Sequence, residues 1–219
     1  MERKKLLITG CGRSGTLYTA EVWRSFGLDI QHERPMPLHG SMGRDGAASW
    51  FMAVDDSNPP FGPGTTGYNF EFVLHVVRHP LKVIASVAQF ILQHGAPSPE
   101  YIERHAPETR LTFEEHRTLA PKQQLILRAA RYWYHWNRLT EQKADQTLQV
   151  EQLVPALPSL CDKMGVEYVP GQVDKIPKNT NARWQYVREE PWTLEWTELE
   201  TLDSGLCNDI RGLAASYGY

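Results

Sequence analysis

The stretch Ile8-Thr9-Gly10-Cys11-Gly12-Arg13-Ser14-Gly15-Thr16 decides the fold class of this 219-residue chain. Just upstream, residues 5–9 read as a short buried strand. Downstream, residues 16–26 carry Leu17, Ala20, Val22 and Trp23 at helical spacing, and Gly27 closes the pattern. Strand, glycine-rich turn and helix in that order make an anion cradle. Glycines let the backbone turn tightly and aim N–H groups at a negative charge, and the helix N-terminus adds partial positive charge. Ser14 and Thr16 offer hydroxyl donors, and Arg13 offers a permanent cation with a forked donor set. The loop is not that of a nucleoside triphosphatase, Gly-x-x-x-x-Gly-Lys-Ser/Thr. Gly10 and Gly15 keep that spacing, but Thr16 stands where the lysine belongs, and the cation comes earlier, at Arg13.

Outward from this loop, residues 28–32 read as a second short strand. Residues 34–69 are rich in Gly and Pro and read as loop. Residues 70–77 form the strongest strand, with Phe70, Phe72, Val73, Leu74, Val76 and Val77, and Arg78-His79-Pro80 ends it. A helix is expected over 81–92, then a polar, irregular segment over 93–120 that reads as a lid or a short helix. Pro121 suits a first helical position, and 122–143 reads as a long, aromatic-rich helix. A strand over 147–150, a helix over 155–164 closed by Gly165, a polar loop over 170–192 and a closing helix over 197–217 complete the chain. Strands and helices in this order predict an α/β fold, a parallel β-sheet flanked by helices, in one domain over 1–219.

Composition narrows the function. Hydrophobic residues at 41% and charged residues at 22% suit a globular core. A net charge of −3 supplies no basic field for nucleic acid. Cys11, Cys161 and Cys207 are far apart, without metal-ligand spacing, and read as reduced structural thiols. The apolar run Leu6-Leu7-Ile8 is too short for a signal-peptide core, and no stretch approaches a membrane span. The expectation is a cytoplasmic protein with neither nucleic acid nor membrane as partner.

A second anion motif follows the strongest strand. Arg78 stands at its end, and Ser86 lies about two turns into the helix expected next. Each alone has an ordinary reading, a surface ion pair for Arg78 and a helix residue for Ser86. Together, after a phosphate loop, they make a site for a second anion. A magnesium-dependent kinase wants a carboxylate at such a strand end. Arginine there points to anions held by cations and amides without a metal.

Gly12-Arg13-Ser14-Gly15-Thr16 resembles the 5′-phosphosulfate loop of sulfotransferases, and Arg78-His79-Pro80-x₅-Ser86 resembles their 3′-phosphate motif. Weaker similarities lie in Trp136-Asn137-Arg138, Val150-Glu151-Gln152-Leu153 and Tyr217-Gly218-Tyr219. The resemblance implies a P-loop NTPase-like three-layer sandwich and, as co-substrate, 3′-phosphoadenosine 5′-phosphosulfate. Gly12, Arg13, Ser14, Gly15 and Thr16 would hold its 5′-phosphosulfate, and Arg78 and Ser86 its 3′-phosphate. Many sulfotransferases have lysine in place of Arg13. The late Arg-x-Gly-x-x-Gly-x-Trp-Lys motif of the cytosolic enzymes is absent; Lys178-Asn179-Thr180-Asn181-Ala182-Arg183-Trp184 stands in that part of the chain, read as a solvated loop or a nucleotide cover.

Sulfuryl transfer needs a base for the acceptor proton. His32 and Glu33 follow the second strand, whose carboxyl end opens on the ligand crevice of a parallel sheet. Neighbours on an extended chain point apart, so one of the two enters the site. Glu33 is preferred, because some bacterial members of the resembled family use a glutamate soon after that strand. An ion pair for Glu33 and a packed imidazole for His32 are the structural alternatives. Arg13 is the third catalytic candidate, stabilising charge on the leaving phosphate. His32-Glu33-x₅-His39 is not a zinc motif, since Pro35 and Pro37 forbid the helix it needs. The acceptor is expected to be a small molecule or a carbohydrate, with Trp50, Phe51 and Phe61 as candidate stacking residues. Trp133 and Trp136 read as core packing or as a wall of an acceptor pocket. Arg128, Arg131 and Arg138 read as a solvated basic face or an anion contact. A P-loop kinase and a non-catalytic nucleotide-binding protein of the same fold are the competing readings.

Overall fold

The computed structural model describes residues 2–32, 43–50, 68–94, 99–176 and 190–219. Its centre is β1 (Glu2–Thr9), which lies between β3 (Gly46–Ala48) and β4 (Tyr68–Val77). Adding β2 (Ile30–His32) outside β3 and β5 (Gln146–Gln149) outside β4 gives a five-stranded sheet in the order 2-3-1-4-5, every pair parallel. Parallel neighbours need crossover connections, and helices supply them. α1 (Thr16–Ser25) joins β1 to β2, and α2 (Pro80–His94), α3 (Pro99–His105), α4 (Phe113–Thr118) and α5 (Pro121–Glu141) lie between β4 and β5; α6 (Leu153–Met164), α7 (Trp196–Leu202) and α8 (Ser204–Ser216) follow the last strand.

Strand side chains alternate between two buried faces. Leu6 and Ile8 of β1 and Leu74 and Val76 of β4 pack with Trp23 of α1 and with Leu153 and Leu157 of α6. Across the sheet, α2, α5, α7 and α8 build a second cluster around Val83, Ile84, Trp133, Trp136 and Ile210. Helices therefore cover both faces, as the sandwich expectation required. Trp23, Trp133 and Trp136 are fully buried, and truncating any of them to alanine costs about 3–5 kcal/mol.

The elements depart from the sequence expectation at two places, at β3 and in the closing helix. β3 falls inside the segment read as loop. Gly46-Ala47-Ala48 has no β-branched or aromatic residue and so gives no strand signal. Small residues are what this position demands, because a Cβ on Gly46 would lie 1.9 Å from the Leu6 carbonyl oxygen. Asp45 seats the strand: its carbonyl accepts from the Lys5 and Leu6 amides at 2.9 and 3.1 Å. Its carboxylate accepts from the Asp29 amide at 2.8 Å. The closing helix is two helices, α7 and α8. Asp203 between them is extended, and its carboxylate caps α8 by accepting from the Leu206 amide at 2.9 Å. The segment 93–120 carries α3, a 3₁₀ turn at Pro107–Thr109 and α4, which opens on a capping box between Thr112 and Glu115.

Fully buried Gln89 ties the chain around residue 190 to α2. Its amide nitrogen donates to the Glu190 carbonyl and its oxygen accepts from the Trp192 amide, both at 2.9 Å. Among the described residues no helix is long and apolar enough to cross a membrane.

Candidate functional site

Because every strand runs the same way, the carboxyl ends of β1, β2, β4 and β5 open on one edge of the sheet. The loop after β1 turns there. Ser14 N–H donates to the Cys11 carbonyl at 3.1 Å, closing a tight turn around Gly12 and Arg13. Arg13 has φ 73°, a left-handed conformation that costs a non-glycine residue about 1 kcal/mol. Gly15 has φ 101° and stands at the N-cap of α1 with no side chain capping the helix. The first amides of α1 lack intrahelical partners, as at any helix start, and face the loop.

The loop's side chains divide by partner. Ser14 is fully buried, and its hydroxyl has no hydrogen-bond partner among the described residues. A buried hydroxyl without a partner costs free energy, so a polar ligand at the loop would relieve it. Thr16 Oγ1 lies 3.4 Å from Nε2 of His32 at the end of β2. The Arg13 side chain reaches towards α2, where its Nε donates to Ser86 Oγ at 3.2 Å and its guanidinium lies 5.4 Å from the Phe90 ring centre. The two motifs read separately from the sequence thus meet in one place.

Arg78 follows β4, half-buried, and no carboxylate among the described residues pairs with it. Beside it lies Tyr219, whose hydroxyl donates to Glu151 at 2.7 Å and lies 3.2 Å from the Val77 carbonyl oxygen. Burial, then the Glu151 carboxylate, pushes the Tyr219 phenol's pKa up, and the Arg78 charge opposes them. His79 sits between the rings of Trp196 and Tyr219. Burial and the Lys82 charge lower its pKa, with Glu151 acting the other way, and its Nδ1 is buried without a partner among the described residues. The segment after β5 touches both motifs: Val150 packs on Gly15, where a Cβ would lie 2.7 Å from Val150 Cγ2, and Glu151 holds Tyr219. Sequence reasoning noted Val150, Glu151 and Tyr219 for family likeness alone. Their contact with the loop and with Arg78's strand carries no local signal.

Several candidates fall elsewhere. Glu33, His39, Phe51, Phe61 and the 178–184 loop lie outside the described residues. Trp50 is core, wedged against Tyr101, Tyr132 and Trp136. The arginines of α5 are engaged by acids: Arg128 by Glu103, Arg131 by Glu115 and Arg138 by Glu141. Cys11, Cys161 and Cys207 are free and buried. Burial holds the Cys11 thiol far above its ordinary pKa, against a hydrogen bond from Tyr132, so it is no nucleophile. Among the described residues no three His, Cys, Asp or Glu side chains cluster so as to hold a metal ion.

The arrangement can bind anions with amides, hydroxyls and two arginines at the open edge of a parallel sheet, the geometry of nucleotide-binding α/β proteins. No model of a known protein family matches the chain, and no curated protein matches it.

Proposed function

We propose that this chain is a sulfotransferase that takes the sulfuryl group from 3′-phosphoadenosine 5′-phosphosulfate and passes it to a hydroxyl or amine of a small molecule or carbohydrate. The observation that carries the reading is the 3.2 Å contact between Arg13 and Ser86. It joins a loop suited to one anionic group and a strand–helix junction suited to a second, as a donor with phosphates at both ends of its ribose needs.

In this reading the loop amides, Ser14 and Thr16 hold the 5′-phosphosulfate, and Arg78 and Ser86 hold the 3′-phosphate. The acceptor lone pair forms a bond to sulfur as the sulfur–oxygen bond to the 5′-phosphate breaks. The departing phosphate keeps that electron pair, and Arg13 stabilises its growing charge. The acceptor proton goes to a base at the end of β2. His32 is the described candidate there, 3.4 Å from Thr16 Oγ1; Glu33 is its sequence neighbour.

Calorimetric titration with 3′-phosphoadenosine 5′-phosphate, with and without magnesium, beside ATP and adenosine 5′-phosphate, tests the donor site. Metal-independent binding that requires the 3′-phosphate and weakens about tenfold or more in Arg78→Ala is expected. Preference for magnesium–ATP would overturn the reading in favour of a kinase.

A further inference from the structure

The N–H of Gly12 does not face the open edge of the sheet. It donates at 3.0 Å to the hydroxyl of Tyr132, on α5 and 120 residues away in sequence. We infer that the Tyr132 hydroxyl is a positioning group that clamps the anion loop in its binding conformation. The inference rests on the loop's being an anion site, as proposed above.

Three observations carry it. First, the bond falls where the backbone is least comfortable. Arg13 is held at φ 73° between the Gly12 amide, tied to Tyr132, and the Ser14 amide, tied to Cys11. A left-handed arginine persists where neighbouring contacts over-determine it. Second, the hydroxyl is itself immobilised. Tyr132 is 1% exposed, its ring edge-on to Trp50 at 6.2 Å and tilted on Trp136 at 5.3 Å. The Trp136 indole in turn donates to the Trp50 carbonyl at 2.7 Å. Third, the fit is close. A Cβ on Gly12 would lie 3.2 Å from the Tyr132 oxygen, so glycine is what lets loop and hydroxyl approach. A loop locked before the ligand arrives loses less entropy on binding it.

Tyr132→Phe removes the oxygen and keeps the ring. Hydrogen exchange of a peptide covering residues 10–16 is compared in the two proteins, with β1 and β4 as internal controls. Affinity is measured for inorganic pyrophosphate and for 3′-phosphoadenosine 5′-phosphate. The expected result is about tenfold faster exchange in the loop, unchanged exchange in the strands, and about tenfold weaker binding of pyrophosphate. A merely structural role would speed exchange throughout the core and leave loop and strands alike. Unchanged loop exchange or unchanged affinity overturns the clamp. Should Tyr132→Phe fail to fold, the Gly12 amide of the unsubstituted protein decides: slow exchange without ligand supports the clamp and solvent-like exchange overturns it. Pyrophosphate binding without 3′-phosphoadenosine 5′-phosphate binding sinks the donor reading and leaves the clamp to the Tyr132→Phe comparison. Binding of neither probe overturns both.

Discussion

Arg13 and Ser86 are 73 residues apart, and the guanidinium Nε of the first donates to the hydroxyl of the second at 3.2 Å. Each is placed by a different strand–helix junction, so the contact ties the glycine-rich loop to the second turn of α2. Their substitutions should therefore not add. Arg13→Ala is expected to weaken 3′-phosphoadenosine 5′-phosphate binding at least tenfold and Ser86→Ala a few-fold. The double variant should depart from the sum by about 0.5–1 kcal/mol, measured by calorimetry as a double-mutant cycle.

The base proposed at the end of β2 is open to a direct comparison. His32→Gln and Glu33→Gln are each made and assayed once an acceptor is found. The variant lacking the base should lose about 100-fold or more in kcat while donor affinity stays within about twofold. Equal activity in both variants would remove the base from this strand.

Glycines on either side of α1 separate strain from clash. Gly27 has φ 87° with nothing within 4 Å of where a Cβ would stand, so Gly27→Ala should cost about 1 kcal/mol from conformation alone. Gly15→Ala adds the meeting with Val150 Cγ2 at 2.7 Å and should cost more while reducing anion affinity. Gly10→Ala meets the Val76 carbonyl oxygen at 2.3 Å, a backbone atom that cannot give way, and should destabilise the fold most. Urea unfolding of the three variants checks the order.

His75 ties acid stability to the second face of the sheet. Asn137 Nδ2 donates to the Trp133 carbonyl, so its oxygen faces His75 Nε2 at 3.0 Å and accepts from it; Nδ1 then accepts from Thr147 Oγ1 at 3.2 Å. The ring is neutral and satisfied. Burial lowers its pKa to about 4, against the Asn137 hydrogen bond. The unfolded chain, titrating near 6.5, takes up a proton that the folded chain refuses. This contribution is complete above about pH 6.5, is lost as pH falls towards about 4, and does not change below that. It amounts to about 3 kcal/mol over the window. Denaturant unfolding between about pH 7.5 and 4 should show it, and His75→Gln should flatten that part of the profile.

Most of the strands and helices, the glycine-rich loop and Arg78 at a strand end were legible along the chain because each is written in a few adjacent residues. A glycine turn between an apolar run and a helical pattern reads locally, as does a β-branched strand ended by arginine. Gly46-Ala47-Ala48 was not legible, because a strand buried on both faces between close neighbours wants small side chains, and small side chains carry no strand signal. The break between α7 and α8 escaped too, since Asp203 stops one helix by capping the next, and its neighbours keep a helical pattern. Roles that depend on partners far along the chain were decided by packing. Tyr132 looked like one more aromatic in a core helix until folding laid its hydroxyl on Gly12. Val150 and Glu151 acquired their contacts with Gly15 and Tyr219 when β5 paired beside β4. Local sequence determines which segments turn, extend or coil, because backbone preferences and hydrophobic periodicity act over a few residues. Which side chains share a site is a property of the assembled sheet, because parallel pairing alone gathers the strand ends at one edge.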